Sequence, residues 1–82
     1  MQQTAIESIG PVLSELKEEA TVPKNVKLRI EKVVGILNEN SEITIKVSKA
    51  LNELEEIADD VNLGSYARTQ VWNVISILEK IK

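Results

Sequence analysis

Apolar residues recur at alternating spacings of three and four in four separate segments of this chain. Such a spacing lines one side of an α-helix. The segments are Ile6, Ile9, Leu13, Leu16 and Ala20; Val26, Ile30, Val33, Val34 and Leu37; Ile43, Val47, Ala50, Leu54, Ile57 and Val61; and Ala67, Val71, Val74, Ile75, Leu78 and Ile81. The stretch from Ile43 to Val47 also alternates as a strand would, but no other segment could pair with it. We therefore predict an all-α protein with four helices.

Capping chemistry suggests where these helices begin. Thr4 and Glu7 form a capping-box pattern at the start of the first helix. Gly10 and Pro11 interrupt it, but the apolar stripe continues through them, so we expect one kinked helix rather than a start at Pro11. For the later helices the predicted N-caps are Thr21, with Pro23 in the first turn, then Asn40 or Ser41, and finally Asn62 or Ser65.

The two halves of the chain resemble each other at an offset of 41 residues. Polar positions match as well as apolar ones: the pairs include Leu13 with Leu54, Glu15 with Glu56, Thr21 with Asn62, Lys27 with Arg68 and Leu37 with Leu78. This indicates a duplicated helix hairpin, with repeats at about residues 4–38 and 42–81. Two hairpins are too few for an open solenoid, so we expect one domain over residues 1–82, an antiparallel four-helix bundle.

The residues that are missing narrow the possible functions. The chain has no Cys and no His, which excludes thiolate chemistry, zinc knuckles and Ser-His-acid triads. Its three glycines lie far apart, so no glycine-rich phosphate loop is present. We expect a non-enzyme without a cofactor or a metal. No apolar run is long enough to span a bilayer and no secretory signal is visible, which predicts a cytoplasmic protein without a membrane partner.

Three stretches carry a family resemblance: Thr21-Val22-Pro23-Lys24-Asn25-Val26, Asn62-Leu63, and Arg68-Thr69-Gln70-Val71-Trp72-Asn73-Val74-Ile75-Ser76. With them the chain resembles a family of short, all-helical archaeal proteins of unknown function, over nearly its whole length. The resemblance implies a compact four-helix bundle and an archaeal, cytosolic origin. It brings no assigned activity, substrate or cofactor.

Acidic residues crowd the ends of the odd-numbered helices, where the helix dipole disfavours negative charge. The second of these clusters contains Glu55, Glu56, Asp59 and Asp60, and each repeat has a base soon afterwards, Lys27 or Arg68. One interpretation is that each base forms a salt bridge with its cluster across the turn. The alternative is a carboxylate site for a divalent cation on the third helix, although the glycine-containing loop of high-affinity calcium sites is absent.

The second helix is locally basic, with Lys24, Lys27, Arg29 and Lys32. A weak nucleic-acid-associated protein is a further alternative. However, the chain has a net charge of −3, one Trp, one Tyr and no Phe, whereas nucleic-acid binding favours a basic domain with stacking aromatic residues. A solvated polar face is the preferred interpretation.

Trp72 is the most distinctive residue, because it lies at the margin of the apolar stripe and its repeat counterpart is Glu31. One interpretation is that it seals the edge of the bundle and donates its N–H to a polar neighbour. The alternative is that it anchors a partner. Trp and Arg are enriched at the energetic centres of interfaces, and Arg68 lies one turn earlier. Our leading hypothesis is a non-catalytic protein-interaction module that binds a protein partner or a second copy of itself through the even-numbered helices. The candidate surface residues are Trp72, Arg68, Ile36, Ile77, Leu28 and Ile45.

Overall fold

Four α-helices follow one another along the chain: α1 (Gln2–Glu18), α2 (Lys24–Leu37), α3 (Ile43–Ala58) and α4 (Ser65–Ile81). This computed structural model describes the backbone of residues 2–81 and the side chains of residues 8–81. No strand occurs between residues 2 and 81, and the alternating stretch after Ile43 is helical. The prediction of an all-α protein is confirmed.

Helix α1 continues through Pro11 without interruption. A proline inside a helix costs roughly 3 kcal/mol, because it removes one backbone donor and crowds the preceding turn. Ile9, Leu13 and Leu16 are all buried on the same side of α1, on both sides of the proline. Their burial offsets this cost, so the expected single helix is confirmed. The side chains of Thr4 and Glu7, the expected capping box, lie outside the described residues.

The predicted N-caps of the later helices are wrong. The first intrahelical carbonyl acceptors are Pro23, Glu42 and Gly64, which receive the N–H groups of Lys27 (3.0 Å), Lys46 (3.1 Å) and Arg68 (2.9 Å). The N-cap position therefore belongs to these residues rather than to Thr21, Asn40 or Ser41, and Asn62 or Ser65. Pro23 and Glu42 have extended backbones, with ψ of 148° and 143°, and neither makes a side-chain capping bond. Backbone geometry, not a side-chain oxygen, starts α2 and α3.

The core is aliphatic and follows the predicted stripes. Its buried members are Ile9, Leu13, Leu16, Val22, Val26, Ile30, Val33, Ile36, Leu37, Val47, Ala50, Leu51, Leu54, Ile57, Ala58, Leu63, Ala67, Val71, Val74, Ile75 and Leu78. Two stripe residues depart from the prediction: Ala20 is exposed, and Val61 is 90 % exposed. Both lie beyond the end of a helix, 41 residues apart, where the helical periodicity no longer applies.

Each helix packs against two others. Helix α1 packs against α2 and α4, and α3 also packs against α2 and α4, whereas no Cα atom of α2 lies within 8 Å of one of α4 in the described part of the chain. The principal-axis extents are 32 × 20 × 18 Å. A helix between two neighbours buries a wider arc than a single stripe. This explains Ile36 of α2, which was predicted to be a surface residue but is only 9 % exposed.

The loops after α1 and α3 repeat the same backbone hydrogen bonds at an offset of 41 residues. The N–H of Glu19 donates to Leu16 and that of Val22 donates to Glu19, while the N–H of Asp60 donates to Ile57 and that of Leu63 donates to Asp60. Val22 and Leu63 are both buried as these loops turn back. The two connections therefore share one local geometry.

Candidate interaction surface

The outer face of α4 combines aromatic residues with a lack of charge. The two aromatic residues of the chain, Tyr66 and Trp72, both lie on α4, and their exposed fractions are 54 % and 46 %. Between Ser65 and Leu78 the sequence contains a single charged residue, Arg68. The other exposed positions of this segment are Ser65, Thr69, Asn73 and Ser76. We call the exposed residues Ser65, Tyr66, Thr69, Trp72, Asn73 and Ser76 the α4 face.

The side chain of Arg68 donates hydrogen bonds to backbone carbonyls at and just beyond the end of α3. Its Nη2 donates to the carbonyl oxygen of Asp60 at 2.7 Å, and its Nε donates to that of Ala58 at 3.0 Å. Ala58 ends α3, and a carbonyl at a helix C-terminus has no intrahelical donor and carries partial negative charge, so the guanidinium satisfies both needs there. The carbonyl of Asp60, two residues further on, also accepts the N–H of Leu63. The predicted salt bridges with the acidic clusters are wrong, since neither Arg68 nor Lys27 forms an ion pair among the described residues. Arg68 binds backbone carbonyls instead.

A chain of hydrogen bonds holds one edge of the α4 face. Asn73 donates to Gln70 Oε1 at 2.9 Å, Gln70 donates to the hydroxyl of Tyr66 at 3.3 Å, and Tyr66 donates to Glu15 of α1. The bond to the carboxylate raises the pKa of Tyr66, because it stabilises the protonated phenol and a phenolate beside Glu15 would be repelled. The contact fixes the Tyr66 ring and ties α4 to α1.

Trp72 lies on the same helix but outside this chain of hydrogen bonds. Its indole N–H makes no hydrogen bond to another residue of the described part of the chain, so the expected seal between the indole and a polar neighbour is not formed. Arg68, one turn earlier, is held at the end of α3. The indole is thus an exposed aromatic surface with a free donor, beside a fixed guanidinium.

The other predicted surface residues do not join Trp72. Leu28 is 60 % exposed on α2, which is not a neighbour of α4 in the described part of the chain. Ile45 is 50 % exposed near the start of α3, a helix that does pack against α4, whereas Trp72 lies in the middle of α4. Ile77 is partly buried and packs against the core. Ile36 lies at a shallow groove of about 370 Å³ between α2 and α3, lined also by Lys32, Glu39, Lys49, Asn52 and Glu53. In the described part of the chain, α2 and α4 therefore do not form one continuous surface.

Two of the four basic residues of α2, Arg29 and Lys32, form ion pairs with acidic residues of α3. Arg29 pairs with Glu56, and its Nε lies 3.4 Å from Glu53 Oε1. Lys32 Nζ lies 3.1 Å from Glu53 Oε2. The hydrogen bond to Glu56, together with both carboxylate charges, raises the pKa of Arg29. Two of the four cations proposed for nucleic-acid binding are thus already neutralised within the chain.

Glu53 is the most enclosed carboxylate of this network, with a side chain only 16 % exposed. Its Oε1 is buried and makes no hydrogen bond, and the nearby Arg29 Nε provides ionic attraction without hydrogen-bond geometry. The negative charge of Glu53 is therefore compensated by the nearby charges of Arg29 and Lys32.

Two of the four acidic residues in the cluster at the end of α3, Glu56 and Asp60, are bound by other groups of the chain. Asp60 Oδ1 accepts the N–H of Asn62 at 2.8 Å, and its Oδ2 lies 3.4 Å from the amide nitrogen of Asn25. Glu56 pairs with Arg29. Among the described residues, no three acidic side chains converge as a metal ion would require. The cation-site alternative gains no support from this geometry.

Tyr66 is the residue that sequence reasoning missed. It is one of two aromatic residues in the chain and lies four positions before Gln70, so that the two side chains are neighbours on a helix. Its partner Glu15 is 51 residues away, and a sequence pattern gives no indication of that contact.

Among residues 2–81, no helix has the length and apolar content needed to cross a bilayer.

Comparison with known proteins places the chain among archaeal relatives. Residues 1–81 match the sequence profile of the family described as "Uncharacterised protein family (UPF0147)". The UPF0147 protein MJ1419 of Methanocaldococcus jannaschii is 32 % identical over 78 residues, which cover 94 % of this chain and 84 % of that protein. The UPF0147 protein PH1921.2 of Pyrococcus horikoshii is 34 % identical over 79 residues, which cover 94 % and 85 %.

Two crystal structures share the fold. A UPF0147 protein from Thermoplasma acidophilum has a TM-score of 0.93 at 29 % identity, covering 99 % of this chain and 96 % of that one. A protein of unknown function, MMP1188, has a TM-score of 0.88 at 33 % identity, covering 95 % and 90 %. The arrangement of the helices is therefore also that of experimentally determined relatives.

Proposed function

This chain belongs to the uncharacterised protein family UPF0147, and on that premise we propose that it is a small, non-catalytic protein-interaction module of the cytoplasm. It binds its partner through the α4 face. Trp72 is the central contact, and Arg68 positions the start of α4 against α3.

The observation that carries this proposal is the composition of the α4 face. The centres of protein interfaces are depleted in charged residues and enriched in Trp and Tyr, whereas an ordinary solvated helix surface carries Lys and Glu. The aliphatic core contains no aromatic residue, while Tyr66 and Trp72 are both about half exposed on one helix. Tyr66 is held by Glu15 and Gln70, so that little side-chain entropy would be lost when a partner binds.

Helix α2 provides an internal comparison. At the offset of 41 residues, Lys24, Glu31 and Lys32 stand where α4 has Ser65, Trp72 and Asn73. Both helices bury an equivalent apolar stripe, and α2 does so with charged residues on its outer side. Packing alone therefore does not require α4 to be uncharged, which favours a binding role for that face.

The proposed module is an antiparallel four-helix bundle built from two related hairpins. The hydrogen bonds shared by the loops after α1 and α3, and the short connections between successive helices, support this architecture. A rigid bundle presents the α4 face without reorganisation, which suits a binding scaffold.

The test compares Trp72→Glu with a matched control, Leu28→Glu. Both replace a large exposed apolar residue with an acid on the outer side of a helix, but only the first alters the α4 face. Tagged wild-type and variant chains are returned to the cell that encodes the protein, and the co-purifying proteins are quantified by mass spectrometry.

We expect one or more proteins to be retained by the wild type and by Leu28→Glu but reduced at least tenfold by Trp72→Glu. If all three chains retained the same proteins equally, the α4 face would not be the binding surface. Circular dichroism of both variants establishes that the helices remain folded.

A further inference from the structure

Five of the exposed residues of α4 form a regular stripe along the helix, and the exposed Tyr66, Asn73 and Lys80 lie to one side of it. Ser65, Thr69, Trp72, Ser76 and Glu79 are all exposed and follow one another at spacings of four, three, four and three. This is the a/d spacing by which one helix packs along another. Trp72 is the middle member of the stripe and lies one residue from the centre of a helix of 17 residues.

The stripe is nearly symmetric about Trp72. On either side of the indole stands a residue with a small hydroxyl side chain, Thr69 or Ser76. If two copies of α4 cross in opposite directions with a twofold axis near Trp72, Thr69 of each faces Ser76 of the other. The small residues let the two helix backbones approach, and the two indoles fill the centre of the contact.

The charges also favour a second copy in this orientation. The chain carries a net charge of −3, so two copies repel each other overall, and contact through the uncharged α4 face adds no local pair of like charges. Glu79 lies near the C-terminus of α4, where the helix dipole disfavours an acid. In the antiparallel pair it approaches Ser65 at the positive end of the second α4. The same arrangement aligns the two helix dipoles in opposite directions.

We propose that two copies of this chain associate through α4 as a twofold, antiparallel homodimer with Trp72 at the axis. The inference rests on the α4 face assigned above as the binding surface and names a second copy as its occupant. A helix of this length spans about 25 Å. One such helix against another covers less than the ~800 Å² per partner of a stable interface, so the dimer is weak and depends on concentration.

Sedimentation equilibrium tests the association directly. From about 10 µM to about 1 mM, we expect the apparent mass of the wild type to rise from 9.1 kDa towards twice that value. Leu28→Glu should behave in the same way, whereas Trp72→Glu should stay at the monomer mass. A wild-type chain that remains monomeric at about 1 mM overturns the homodimer, and so does equal association of Trp72→Glu.

Cross-linking tests the orientation. Since the chain has no cysteine, Thr69→Cys and Ser76→Cys can be introduced into differently tagged copies, mixed, and treated with a short bismaleimide. We expect cross-links between the two different variants to exceed those between identical ones. Stronger Thr69→Cys to Thr69→Cys linkage would overturn the antiparallel arrangement.

These results and the partner experiment can fail independently. A monomeric wild type that still retains a different protein through Trp72 refutes the homodimer and leaves the binding function in place. A dimer that persists in Trp72→Glu overturns this inference, whatever the purification shows.

Discussion

Arg68 on α4 donates a hydrogen bond of 2.7 Å to the carbonyl oxygen of Asp60, two residues beyond the end of α3. The same guanidinium reaches the carbonyl of Ala58. One side chain thus joins the beginning of α4 to the end of the helix before it. Lys27, its counterpart on α2, makes no such hydrogen bond among the described residues.

Replacing Arg68 with Met should therefore destabilise the fold, because two partly buried carbonyls lose a charged donor while the aliphatic stem is largely kept. We expect a loss of about 1.5–3 kcal/mol in the free energy of unfolding, measured by urea denaturation. Lys27→Met is the matched control and should change stability by no more than about 0.5 kcal/mol. Equal losses in both variants would contradict the special role of Arg68.

Tyr66 should titrate above its ordinary value of 10.0, because it donates to the carboxylate of Glu15. It is the only tyrosine in the chain, so its ionisation can be followed by ultraviolet absorbance. Glu15→Gln should bring the pKa back towards the ordinary value. Since the folded chain holds the phenol proton more tightly, this contact stabilises the fold below about pH 10 and is lost as the pH rises through the higher folded pKa. An unchanged titration curve in Glu15→Gln would show that the contact does not persist in solution.

Gly35 lies inside α2, and a methyl group added there would meet no atom within 4 Å. Gly35→Ala should raise the free energy of unfolding by about 0.5–1 kcal/mol, because alanine restricts the unfolded chain and favours helix. Thermal unfolding by circular dichroism measures the gain.

Gly10→Ala provides the comparison. Gly10 has equal space but precedes Pro11, where a Cβ is disfavoured in helical geometry, so its gain should be smaller. A loss of stability in Gly35→Ala would contradict the open environment of this glycine.

Leu54 and Val61 measure the difference between core and loop within one half of the chain. Leu54 is fully buried, so Leu54→Ala should cost about 2–5 kcal/mol through lost burial and the remaining cavity. Val61 is 90 % exposed and follows α3, so Val61→Ala should change stability by less than about 0.5 kcal/mol. Chemical denaturation of both variants checks the contrast, and similar losses would place Val61 in the core.

The helices and most of the core could be predicted from the sequence, because apolar spacing directly records which side of a helix is buried. Leu13, Val47 and Val71 follow from that spacing alone. Ile36 does not, since its burial depends on α2 having two neighbours, which is a property of the whole assembly.

The helix starts and the polar contacts were harder to predict. Capping rules favour side chains such as Thr21, but Pro23 begins α2 through its extended backbone. Arg29 reaches Glu53 and Tyr66 reaches Glu15 across neighbouring helices. Such pairs depend on the axial position of one helix relative to the next, and the spacing of apolar residues does not predict that position. Trp72 was identified correctly as a margin residue. Grouping Leu28 and Ile36 of α2 with it assumed that α2 and α4 are neighbours, which they are not in the described part of the chain.

The position of Trp72 outside an aliphatic core has a practical consequence for spectroscopy. The single indole is nearly half in water in the native chain. Its fluorescence should be red-shifted at the start and should change little when the helices melt. A blue shift would instead report that something has covered the ring, which makes the native chain a label-free sensor of its own contacts.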